Sequence, residues 1–190
     1  MANRDVFDIT KESPKDHDRY GKHELGQHSL LARRLLEKGV TFVQVTHSNY
    51  DTHNENFNFH LEQVGEFDKA YSALVEDLAV RGMLDSTLII VMSEFGRTPK
   101  IFRLPSAKLP GRDHWGAVQS ALFAGGGVKG GTVVGSSDKI GGYPADDPQK
   151  PENFAATIYD ALGIPRGTHW KDLAGRPYSV YHADPIGGLT

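Results

Sequence analysis

The sequence predicts a single α/β domain over residues 1–190, with a mostly parallel sheet flanked by helices. Thr41 to Thr46 (TFVQVT) is β-branched and alternating, a long stretch of helical periodicity follows, and Thr87 to Met92 (TLIIVM) is then apolar throughout. Strand, helix and strand in that order make a right-handed crossover, and a run apolar on both faces suits a strand buried in a parallel sheet. The composition, 38% hydrophobic and 24% charged, is that of a soluble globular chain. At this length folding removes about 70% of the unfolded surface from water, enough for one sizeable core.

Taken in order, residues 1 to 22 are polar and turn-rich and read as an irregular lead-in ending at Tyr20-Gly21. From about His23 to Lys38, Leu25, Leu31, Leu35 and Leu36 share a helical face, and Gly39 sits where a helix ends. The strand Thr41 to Thr46 runs into the polar segment HSNYDTHNEN. Leu61, Val64, Phe67, Tyr71, Leu74 and Leu78, spaced by three and four, define the strongest helix, with Asn54 or Asn56 as its cap. After the strand Thr87 to Met92, residues 94 to 115 form a long loop, the kind that carries function in a compact domain. Gln119 to Ala124 and TVVG read as further strands, Glu152 to Leu162 as a closing helix, and the tail as irregular.

Charge and composition exclude several classes of function. A net charge of -3 provides no basic field for nucleic acid or anionic lipid. No apolar run approaches the ~20 residues of a membrane helix, and the opening residues lack the apolar stretch of a signal peptide. With no cysteine, a metal site must be built from histidines and carboxylates.

In open α/β sheets ligands bind beyond the carboxyl ends of strands, and three polar clusters fall there. Asp51-Thr52-His53 places two donors at i and i+2, which point the same way in an extended segment. Ser93-Glu94-Phe95-Gly96-Arg97 follows the second strand, with Glu94 at its end and Gly96 turning Arg97 toward the same crevice. Gly111-Arg112-Asp113-His114-Trp115 precedes the next strand. A parallel sheet would gather Asp51, His53, Glu94 and His114 as ligands of a divalent cation, with Zn, Mn, Fe, Mg and Ca all open. Singly, each cluster has a plainer reading: a capping Asp in a turn, an i,i+3 ion pair between Glu94 and Arg97, an exposed Asp113-His114 turn. Their convergence on strand ends favours the site.

Across YGKHELGQHSLLARRLLEKGVTFVQV, HSNYDTHNENF, VMSEFGRTPKI, GRDHWGAVQSALFAGGGVKGG and PENFAATIYDALGI, the chain resembles a family of sulfatase-like proteins of unknown function in the alkaline phosphatase superfamily. Several motifs in one order, from Phe7 onward, make the likeness specific. Tyr50 stands where relatives carry Trp. The resemblance implies an α/β fold holding two divalent ions and hydrolysing phosphate or sulfate monoesters. It makes Asp51, His53 and His114 ligands of one ion. Glu94 takes the place of an Asp in an Asp-His pair, and Phe95, in place of its His, has no lone pair for a second metal.

Family members are usually about twice as long, so the resemblance implies that this chain corresponds to their carboxyl half and that the first metal-binding Asp and the Ser or Thr nucleophile would lie in an amino-terminal half, with a naturally short protein, a truncated gene and a cloned fragment all open. An uncovered edge strand and apolar surface are then expected, and with them self-association or a partner. The longer relatives often carry export signals, which leaves the compartment open. The chemistry implied is metal-assisted hydrolysis of a small anionic ester, with Arg97 or Arg112 neutralising the oxyanion and Asp113 or His114 as general acid. Ser93, Ser136 and Ser137 carry no mark of an activated nucleophile. A catalytically silent metal-binding or structural domain is the competing reading. Gly125 to Gly130 matches G-x-G-x-x-G, but the β-branched residues and glycines that follow cannot open the helix that motif requires.

Overall fold

The structure, a computed structural model, describes residues 4–189. The chain divides into two compact units: residues up to Leu84 with Lys100–His114, and Asp85–Pro99 with Trp115 onward.

The first unit is helical. Two short 3-10 turns, Arg4–Phe7 and Ile9–Lys11, lead into α1 (Pro14–Tyr20), α2 (Glu24–Glu37) and α3 (Asn56–Val80). From residue 4 onward the lead-in is therefore ordered where irregular structure was expected over residues 1 to 22, the first three of which lie outside the described residues, and the local reason is a cap: the Ser13 side chain accepts from the Asp16 N–H, with Pro14 at the first helical position. His23 caps α2, its Nδ1 accepting the Gly26 N–H at 3.2 Å. His17 joins the lead-in to α2 through the Ile9 carbonyl and Gln27.

Where α1, α2 and α3 meet, Tyr20, Leu30 and Ala73 form the core, with Leu74 packed against them. Around it runs a buried ionic network. Arg33, only 3% exposed, pairs with Glu12 and Glu37. Asp77 accepts from Arg19 at 2.8 Å and from the Tyr20 hydroxyl at 3.0 Å. Burial alone would raise the Glu12 pKa, but hydrogen bonds from Arg33 and Arg34 outweigh it and hold the carboxyl below its ordinary value. A depressed folded-state pKa contributes stability that is complete above the unfolded pKa and is lost as pH falls through the folded one. The thermal midpoint should therefore hold from neutral pH down to the ordinary glutamate range near ~4.3 and drop below it. In acid titrations followed by circular dichroism, Glu12→Gln should flatten that drop; an equally steep fall in the variant would contradict the assignment.

The fold class departs from expectation. Among the described residues every sheet has only two strands, and each pair of defined register is antiparallel, so the expected parallel sheet is absent. Thr41 to Thr46 keeps its alternation, with Val43 and Val45 half-buried and Phe42, Gln44 and Thr46 exposed, yet it forms no strand. It lies beside α2 across an open groove of about 440 Å³. An apolar alternation makes a segment extended and one-sided, but a strand also needs a neighbour for its backbone groups, and none is supplied to this one among the described residues. The βαβ crossover fails with it, although its helix is present. On α3, Phe57, Leu61 and Val64 share a face and remain 42%, 77% and 50% exposed.

The second unit is built from strand pairs and one helix. Ile89–Val91, within the expected strand Thr87 to Met92, pairs antiparallel with Leu122–Ala124, Ile90 opposite Phe123. Phe123 in turn packs on Phe154 of α4 (Pro151–Ala161), with ring centroids 5.8 Å apart. TVVG is not a strand and Val133 is 89% exposed; the pairing falls just beyond it, between Ser136–Ser137 and Pro144–Asp146. At the tip of that hairpin Asp138 accepts the N–H groups of Ile140, Gly142 and Tyr143. Trp115 donates to the Gly142 carbonyl at 2.6 Å. The tail forms a hairpin of His169–Lys171 and Pro177–Ser179 where none was expected. Gly125, Gly126 and Gly127, all at positive φ, form a turn, and no helix opens there.

Candidate metal centre

The segment before α3 and the loop 111–114 are held together by backbone contacts inside the first unit. Gly111 exchanges hydrogen bonds with Phe102, at 2.8 and 3.0 Å, and bridges to Asn54. A Cβ on Gly111 would stand 1.6 Å from the His53 carbonyl oxygen, so only glycine fits. Glu55, at φ 60°, turns the chain sharply into the helix, and its N–H donates to the Pro110 carbonyl at 3.1 Å.

Asn56, the first residue of α3 and 1% exposed, does not cap the helix as expected. Its side chain instead clamps the backbone of Arg112, donating to the carbonyl at 2.8 Å and accepting the N–H at 3.2 Å. Two residues beyond the clamp stands His114. Asn56 and Gly111 are thus the positioning residues that sequence reasoning missed. Asparagine at a helix start and glycine in a GRDHW string are the only traces they leave.

This register brings Asp51, His53 and His114 together, one donor atom from each lying within 4.8 Å of the others. Asp51 Oδ1 is 3.2 Å from His53 Nε2 and 3.1 Å from His114 Nε2. The two imidazoles stack, with centroids 4.6 Å apart and planes at 26°. On the far side of its ring His53 Nδ1 meets Asp113 Oδ1 at 2.6 Å, and the His114 backbone N–H donates to the same oxygen at 3.1 Å. Those bonds, His53's first, hold the Asp113 carboxyl below its ordinary pKa.

Two of the three donor separations fit those between ligands of a tetrahedral divalent cation. Four ligands at about 2.0–2.1 Å in a tetrahedron stand roughly 3.4 Å from one another, close to the two separations from Asp51 Oδ1. In the tautomer whose Nδ1 proton is directed at Asp113, the Nε2 lone pair of His53 would face a carboxylate oxygen. Two acceptors so close repel unless a proton or a cation lies between them. His114 Nε2 is fully shielded from solvent, whereas Asp51 is 84% exposed, which leaves one side of the cluster open.

Of the other residues singled out from the sequence, Arg112 is in the same unit and fixed through its backbone. Glu94 and Arg97 belong to the second unit, and Glu94, exposed there, is not part of the donor group. Ser93 Oγ donates to the Phe95 carbonyl and to Gln119, and Ser137 Oγ to the Asp138 carbonyl. Among the described residues no helix is long and apolar enough to cross a membrane.

One family model covers residues 1–189, which include the whole donor cluster and the loop that carries His114. The chain belongs to the family described as Protein of unknown function (DUF1501). No curated protein and no solved structure matches it. In this DUF1501 chain the cluster therefore has to be read from its own chemistry.

Proposed function

We propose that this DUF1501 chain is a metal-dependent hydrolase module for phosphate or sulfate esters. The reading is carried by one observation, the convergence of Asp51, His53 and His114 inside 4.8 Å. The motif resemblance to sulfatase-like proteins of the alkaline phosphatase superfamily supports the substrate class. One carboxylate and two imidazoles would hold the ion and leave a coordination position open, as hydrolytic sites do, and this set suits Zn better than Mg or Ca. When bound, such an ion polarises an ester oxygen and lowers the pKa of bound water. Asp51 supplies the negative charge that offsets the cation. Arg112, its backbone clamped two residues before His114, is the cation of this unit that would meet the anionic oxygens of the ester. His114 holds the ion, so the general-acid role is not assigned to it.

A catalytically silent metal-binding or structural domain is the second reading; Ser93 Oγ bonds the Phe95 carbonyl and Gln119, and Ser137 Oγ the Asp138 carbonyl, and among the described residues no hydrogen bond joins either hydroxyl to a histidine or carboxylate. The test is metal content by elemental analysis, followed by turnover of aryl phosphates and aryl sulfates. Wild-type protein should hold about one equivalent of metal, and Asp51→Ala and His114→Ala should lose it. Turnover that disappears with the metal supports the hydrolase. Metal without turnover supports the silent domain, and absence of metal defeats both metal-binding readings.

A further inference from the structure

We propose that Asp113 is a positioning residue that sets the tautomer and the orientation of His53. The inference rests on reading Asp51, His53 and His114 as a cation site, and it deepens that reading by naming what aims one of its ligands. Nδ1 of His53 lies 2.6 Å from Asp113 Oδ1, while Nε2 of the same ring lies 3.2 Å from Asp51 Oδ1. The two nitrogens thus face two different carboxylates. A carboxylate on Nδ1 draws the ring proton there, which commits the Nε2 lone pair to the side where Asp51 and His114 converge. An imidazole not so held prefers its proton on Nε2, and that tautomer would point a proton at the cation position.

The placement of Asp113 is itself constrained. Its Oδ1 also accepts the N–H of His114, the next residue, so one carboxylate oxygen ties both imidazole-bearing residues. The Asn56 clamp on Arg112 fixes the peptide just before it. Asp113 is 53% exposed, and its replacement removes no core packing. Its oxygen is turned to His53, the geometry an orienting role requires.

The experiment has two arms. Histidine ¹⁵N NMR on metal-free protein reads the tautomer directly. His53 should be the Nδ1–H form in the wild type and move toward Nε2–H in Asp113→Ala, with Asp113→Asn, which keeps an acceptor oxygen, restoring Nδ1–H. Zinc titration calorimetry should show Kd raised about 10- to 100-fold in Asp113→Ala and less in Asp113→Asn. Persistence of Nδ1–H in Asp113→Ala overturns the inference, as does an Asp113→Ala affinity within about twofold of wild type. Because the first arm needs no metal, a wild type that binds no zinc defeats the cation reading while the tautomer still decides the role of Asp113.

Discussion

Gly111→Ala should weaken divalent-metal binding by about 10- to 100-fold, although Gly111 carries no donor atom. An added Cβ would lie 1.6 Å from the His53 carbonyl oxygen and 3.0 Å from the Asn54 Cα, and both obstacles are backbone that cannot rotate away. One of the two strands of chain must move, and His53 sits on one while Asp113 and His114 follow Gly111 on the other. Metal sites tolerate displacements of only about 0.5 Å before their geometry is lost. The stability cost should be the ~1–3 kcal/mol typical of overpacking, leaving helix content intact. Calorimetric zinc titration with circular dichroism as the control reads both. Wild-type affinity in Gly111→Ala would mean that the contact between residues 53–54 and Gly111 does not set the site.

Asp77→Ala should destabilise the first unit by about 3–5 kcal/mol, the largest loss expected from any single substitution that leaves the site untouched. Asp77 is 4% exposed and lies among Arg19, Arg33 and the Tyr20 hydroxyl, with Arg33 Nε 3.7 Å away. Removing it leaves the buried Tyr20 hydroxyl without its acceptor, breaks the Arg19 hydrogen bond and takes a nearby negative charge from the buried Arg33. The cost comes from desolvated groups losing their partner rather than from a strong ion pair in itself. For a chain of this size that corresponds to a fall in Tm of roughly 10 °C. Tyr20→Phe, which removes one hydroxyl, should cost only about 1 kcal/mol. Urea unfolding of the three proteins tests the ordering, and a loss below about 1 kcal/mol for Asp77→Ala would contradict it.

The helices were legible because their signal is local. The spacing from Leu61 to Leu78 and the Gly39 stop place α2 and α3 within a few residues of their observed bounds. The short helix α1 carried its own signal in Ser13-Pro14, masked by the polar composition around it. Strand pairing was not legible, because periodicity tells which face is buried and nothing about the neighbour. Ile89–Val91 meets Leu122–Ala124 antiparallel, and Thr41 to Thr46 meets no strand among the described residues.

The cluster residues were visible for a different reason. Asp-x-His and Asp-His are unusual concentrations of donors, and those types keep their meaning whatever sheet surrounds them. The grouping of Asp51, His53 and His114 did not need the parallel sheet that was expected to create it. It is produced by the Gly111 contact and the Asn56 clamp, each of which joins residues more than fifty positions apart. Glu94 was included on sheet geometry and on the family resemblance, and it is not in the donor group found among the described residues.

The most direct measurement is the X-ray absorption spectrum of the zinc-loaded protein at the metal edge. The account predicts a shell of nitrogen and oxygen at about 2.0–2.1 Å with the outer-shell pattern of two imidazoles, reduced to one in His53→Ala and again to one in His114→Ala. A shell with no imidazole, or a spectrum that neither substitution changes, would contradict it.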